Sequence, residues 1–228
     1  MRTLGLRFVP YAIVGVLHLF ALFTASASVI QFTKPLLMIA LLGCFLWALP
    51  TVRSRIAIFG ALGIIFSWVG DVSLAAPGGT GFLIGLAFFF LAHIAYLVLF
   101  LTVIRGRRMP LRTRLVVLPV AVLWWGLFVA LLAPHAGALL FPVAIYGAVL
   151  GGVAAASFGC NRFIVTGALF FLASDSLLGL HMFVPDFEFW QVDFTIMLAY
   201  IVGQGLIAFG AVRHARTGVE RVEAAVAA

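Results

Sequence analysis

Charge is what this chain has least of. Only 9% of its 228 residues are Asp, Glu, Lys or Arg, against about a quarter in soluble domains, while 65% are hydrophobic. So few charged side chains cannot coat a water-soluble surface, which excludes a soluble enzyme or a sizeable extramembrane domain. Lysine occurs once, at Lys34, and acidic residues number seven. The two cysteines, Cys44 and Cys160, supply no disulfide framework or zinc spacing and read as plain small residues. No two of the five histidines stand at the i, i+4 spacing of a metal pair on one helix, so neither metal nor cofactor is expected.

The net charge of +7 would suit nucleic acid if it formed one basic patch. Instead the arginines collect in short gaps between apolar runs, the footprint of membrane topology and anionic headgroups. Membrane lipids are the expected partners, not nucleic acid.

Eight apolar runs are present, at roughly 8–25, 35–50, 56–75, 81–104, 115–133, 138–158, 163–181 and 190–212. Each is close to the ~20 residues that cross a bilayer core. Turn signals separate some of them, at Ala76-Pro77-Gly78-Gly79 and at Ala133-Pro134-His135. The first run follows Arg2 and Arg7 and precedes Ala25-Ser26-Ala27, an arrangement shared with signal peptides. Its near-spanning length favours a retained helix. The expected fold class is therefore all-α, a polytopic membrane protein with eight transmembrane helices. With the N-terminus inside, 13 of the 14 basic residues lie on the cytoplasmic side and only Lys34 lies outside. That asymmetry predicts cytoplasmic N- and C-termini. The location expected is an integral, multi-pass membrane position, the plasma membrane if the cell is bacterial.

Against this background two carboxyl groups stand out. Asp71 and Asp175 each fall inside an apolar run, where an ionisable residue costs about 2.5–3.5 kcal/mol and tends to face a protein interior and act there. Their surroundings match. Each has Phe five residues before (Phe66, Phe170), a small residue just before (Gly70, Ser174) and Leu three residues after (Leu74, Leu178). The offset of 175 − 71 = 104 residues recurs at Gly63 and Gly167, Phe90 and Phe194, and Ala95-Tyr96 and Ala199-Tyr200. This points to a four-plus-four duplication with parallel halves, about 1–110 and 111–228, within a single transmembrane domain spanning 1–228. The halves differ where His93 aligns with Met197. Asp71 lies 71 − 55 = 16 residues past Arg55 and Asp175 lies 175 − 162 = 13 past Arg162, or ~24 and ~20 Å along a helix, which puts the carboxyl groups in the outer half of the bilayer, or near its midplane where the helices tilt.

Other polar residues gather around the same depth. His93 and Tyr96 share one helix face at i, i+3, and Tyr200 and Gln204 share another at i, i+4. His18 and His181 could complete a His/Asp cluster, while His135 and His214 read as loop and terminal residues. Lys34 suits an interfacial anchor or a phosphate contact, and Asp193 a solvated position at the outer mouth.

These motifs resemble the YhhN-like integral membrane family, which includes the lysoplasmalogenases. The resemblance rests on Thr33-Lys34-Pro35-Leu36 opening the second helix, Gly70-Asp71-Val72-Ser73-Leu74 and His93-Ile94-Ala95-Tyr96. It continues in Ala173-Ser174-Asp175-Ser176-Leu177 and Tyr200-Ile201-Val202-Gly203-Gln204. It implies an eight-helix membrane hydrolase that cleaves the vinyl ether bond of lysoplasmalogens to a fatty aldehyde and a glycerophospho-alcohol. Asp71 and Asp175 would be the catalytic pair. Lys34, His93, Tyr96, Ser174, Tyr200 and Gln204 would bind a lysophospholipid substrate. The chemistry suits two carboxyl groups, because a vinyl ether needs an acid to protonate its β-carbon and a base to activate water. We expect Asp175 as acid and Asp71 as base. A small proton-coupled transporter and a non-catalytic lipid-binding protein are the competing readings. The sequence does not specify the oligomeric state.

Overall fold

The computed structural model describes residues 2–75, 79–105 and 109–226. The expected turn at Ala76-Pro77-Gly78 and the expected cytoplasmic Arg107 and Arg108 lie outside the described residues. Every regular element described is helical. A short α1 (Arg2–Leu6) leads into α2 (Val9–Phe23), α3 (Ala27–Ala48), α4 (Arg55–Leu74), α5 (Gly79–Ile104) and α6 (Leu111–Ala136). A 3₁₀ turn (Gly137–Leu139) then joins α7 (Leu140–Ser157), α8 (Arg162–Phe183) and α9 (Val192–Val226). Among the described residues, six segments are long and apolar enough to cross a membrane. One of them, Leu111–Ser157, contains both α6 and α7, and Val9–Phe23 is a shorter apolar helix. The chain is a multi-pass helical membrane protein.

Local chemistry sets the helix starts. The Ser54 hydroxyl accepts from the Ala57 amide at the head of α4, and the Asn161 side chain accepts from Phe163 and Ile164 at the head of α8. These caps satisfy amides that a helix start leaves unpaired. At the arginine-rich end, Arg7 and Arg216 donate to the carbonyls of Trp47 and Ala48, each at 2.7 Å. They supply donors to the free carbonyls that terminate α3.

Three boundaries differ from the sequence reading. Helix α3 begins at Ala27, so Lys34 and Pro35 lie inside it rather than at its opening. The ring of Pro35 removes only one ladder bond, and the polar Gln31-Phe32-Thr33 stretch stays helical. Ala133-Pro134-His135 belongs to the last turn of α6, and the chain breaks instead at Gly137, whose φ of +51° a side chain disfavours. Helix α9 continues past residue 212 to Val226, which places His214 within a helix.

The helices pack as hairpins, with α4 against α5 and α8 against α9 most closely. The α8–α9 seam depends on two glycines. A Cβ on Gly167 would come within 2.7 Å of the Gly203 carbonyl oxygen, and one on Gly203 within 2.9 Å of the Phe171 nitrogen. Backbone cannot yield as a flexible side chain can. Gly203→Ala is expected to cost about 1–3 kcal/mol, read as a lowered unfolding temperature in detergent. Gly152→Ala, in open space on α7, should leave it unchanged.

Candidate functional site

A cavity of about 270 Å³ opens among α2, α3, α4, α5, α8 and α9. Asp71 and Asp175 both line it, with His18, Lys34, Ser174 and Tyr200. The two carboxyl groups come from different hairpins, and each is held by a tyrosine. Tyr200 on α9 donates its hydroxyl to Asp71 Oδ2 at 2.8 Å. Tyr146 on α7 donates to Asp175 Oδ2. Both aspartates are buried, at 4% and 8% exposure.

The partners break the symmetry that the 104-residue offset suggests. Tyr96 stands in α5 as Tyr200 stands in α9, yet Tyr96 donates to Gln204 Oε1 instead of to Asp175. Gln204 in turn donates to Ser67 Oγ at 2.9 Å. Tyr96, Gln204 and Ser67 thus form a buried network one helical turn from Asp71 and Tyr200. Gly63 makes room for it, because a Cβ there would strike the Tyr96 ring.

His93 faces Asp175. Its Nδ1 lies 2.8 Å from the Phe89 carbonyl, which can only accept, so Nδ1 carries the hydrogen. In the neutral ring Nε2 is then an acceptor. It makes no hydrogen bond and lies 3.6 Å from Asp175 Oδ2. Ser174 donates to the Ile196 carbonyl at 3.0 Å, fixing α8 to α9 beside Asp175.

Two side spaces adjoin the cavity. Between α3 and α4 lies an opening of about 500 Å³ lined by Ile30, Gln31, Lys34, Asp71 and Val72. The Trp68 indole N–H donates to the Pro35 carbonyl at 3.0 Å and ties the two helices there. On the far side of Asp175 is a small apolar pocket walled by Phe82, Leu86, Phe128, Tyr146 and Met182. Asp175 therefore sits between a polar space and an apolar one.

Every residue singled out from the sequence as catalytic or substrate-binding is at or beside this centre. Lys34, Ser174 and Tyr200 line the cavity with the aspartates, His93 lies 3.6 Å from Asp175, and Gln204, one helical turn from Tyr200, accepts from Tyr96. Asp193 is exposed at its rim. His181 does not join: it lies 3.6 Å from Glu188 in the α8–α9 connection. No cluster of three or more His, Cys, Asp or Glu suited to a metal occurs among the described residues. Sequence reasoning missed Tyr146 and Ser67. A signal for Tyr146 existed: the chain has 23 Phe and four Tyr, so each hydroxyl in so apolar a setting calls for a partner. All four have one, Tyr11 donating to the Ile201 carbonyl at 2.8 Å.

Fold and site together define a multi-pass helical membrane protein with two buried carboxyl groups converging on one cavity. The chain belongs to the YhhN family, whose model matches residues 29–211. That span holds every candidate residue above except His18. No curated protein and no solved structure matches the chain.

Proposed function

We propose that this protein is a membrane-embedded hydrolase of the vinyl ether bond in lysoplasmalogens, working by carboxylic acid and carboxylate catalysis. The observation that carries the reading is the meeting of Asp71 and Asp175 in one cavity, each held by a tyrosine hydroxyl. The eight helices α2–α9 cross the bilayer as two parallel halves of four, forming a single domain with both termini on the arginine-rich cytoplasmic side. The cavity then opens toward the outer leaflet.

The chemistry follows the placement. A lysolipid enters between α3 and α4, its phosphate at Lys34 and its chain toward the apolar pocket beside Asp175. Asp175, acting as the carboxylic acid, protonates the β-carbon and generates an oxocarbenium ion. Asp71, facing the Lys34 side as a carboxylate, takes a proton from water as the water adds. The hemiacetal collapses when Asp71 returns that proton to the ether oxygen and Asp175 takes the hydroxyl proton. Both groups end as they began, and the products are a fatty aldehyde and a glycerophospho-alcohol. No metal or cofactor enters the scheme. A carrier reading is less well supported, because Tyr96, Gln204 and Ser67, one helical turn from Tyr200 and Asp71, are buried and bonded to one another.

The direct test is aldehyde release from a lysoplasmalogen by the purified protein in detergent. Absence of aldehyde from the wild type would sink the reading. Tyr146→Phe, which removes the donor to Asp175, should lower kcat about tenfold, the effect of losing ~1.4 kcal/mol. His93→Gln should also lower kcat while leaving KM within about twofold. A rise in KM at constant kcat would instead place these residues in binding.

A further inference from the structure

One buried polar atom in the cavity has no part in this scheme. His18 on α2 is fully buried and lines the cavity with Asp71, Asp175 and Lys34. Its Nδ1 lies 2.8 Å from the Thr33 hydroxyl oxygen. That hydroxyl donates its single hydrogen to the Val29 carbonyl at 2.7 Å, so it can only accept from His18. Nδ1 therefore carries the hydrogen, and in the neutral ring Nε2 presents a lone pair. Nε2 is buried and makes no hydrogen bond. Because buried polar atoms are nearly always paired, a ring locked this way beside a ligand-sized cavity points to a donor brought by the ligand.

We propose that His18 is a specificity-determining residue whose Nε2 accepts a hydrogen bond from the free glycerol hydroxyl of a lysolipid. This rests on the lysolipid reading of the cavity and adds to it. A phosphodiester is an anion with no hydrogen to give at neutral pH and is matched by Lys34. An ammonium would crowd the Lys34 cation in the same cavity, and the exposed carboxylate of Asp193 at the rim suits it better. An uncharged hydroxyl fits Nε2 without either conflict. A site built to bond a ligand hydroxyl rejects an analogue that lacks it, because its own polar atom is then left unpaired. The consequence is selection of single-chain lipids over two-chain lipids, in which that hydroxyl is esterified. Helix α2 lies outside the matched residues 29–211, so family membership alone does not assign this contact.

Binding of two uncleavable ligands to the full chain in detergent tests the proposal. One is a 1-O-alkyl lysophosphatidylcholine, and the other is its 2-deoxy analogue. The wild type is expected to prefer the hydroxyl ligand about tenfold. His18→Phe should bring the ratio to about one while leaving affinity for the deoxy analogue unchanged. His18→Gln, which keeps an acceptor oxygen, should retain part of the preference. Thermal unfolding checks that each variant is folded. A wild-type ratio near one, or equal weakening toward both ligands in folded His18→Phe, overturns the proposal. Because neither ligand is cleaved, missing aldehyde from a vinyl ether substrate would sink the hydrolase reading while leaving this ratio to be judged separately.

Discussion

Asp175→Asn is expected to lower aldehyde release from a lysoplasmalogen by about 10²–10⁴-fold, the usual contribution of a positioned acid or base. Asp71→Asn should fall in the same range. The amide matches the carboxyl group in size, and its oxygen can still accept from Tyr146 or Tyr200, so packing around the buried site is kept. An amide, however, neither delivers a proton to carbon nor takes one from water. The two losses should not multiply in the double variant, because an acid and a base that act on one intermediate fail as a unit. Kinetics on all three variants, with unfolding temperatures alongside, check this. A folded Asp175→Asn protein with wild-type kcat would remove Asp175 from the chemistry.

The second large effect is all-or-none and concerns where solvent atoms end up. Hydrolysis in heavy water should place a single deuterium on the carbon next to the aldehyde, since the β-carbon takes its proton from the acid. In ¹⁸O-labelled water, the aldehyde trapped by immediate reduction should carry the label and the glycerophospho-alcohol should not. The ether oxygen leaves with the glycerol when the hemiacetal collapses. Label in the glycerophospho-alcohol would mean attack at the glycerol carbon, and the acid–base roles given to Asp175 and Asp71 would fall. Mass spectrometry of the two products separates these outcomes.

Much of the helical layout was legible in the one-dimensional pattern. Eight apolar runs with few charges each form a helix, because buried backbone in an apolar medium must satisfy its own hydrogen bonds. The ends were less legible. Gln31-Phe32-Thr33 falls between two apolar runs, yet it is helical, since helices continue through polar residues where the ladder is unbroken. Pro134 reads as a turn but sits in α6, and Gly137 makes the break. The aspartates were legible for an energetic reason: a carboxyl group is costly within an apolar run, so its presence calls for a function or a partner.

The partners were another matter. The 104-residue offset makes Tyr96 and Tyr200 look equivalent, yet one donates to Gln204 and the other to Asp71. Tyr146 stands 29 residues from Asp175 in the chain and has no counterpart in the offset pattern, so only packing of α7 against α8 brings it there. The sequence by itself determined the membrane class, the helical segments and the two carboxyl groups, because these follow from local composition and the cost of charge in an apolar setting. Only the tertiary structure decided that both carboxyl groups share one cavity, which donors hold each, and that His18 presents a lone pair. Those facts depend on how separate helices rotate and dock, and the pattern along any single helix does not encode the face its neighbour presents.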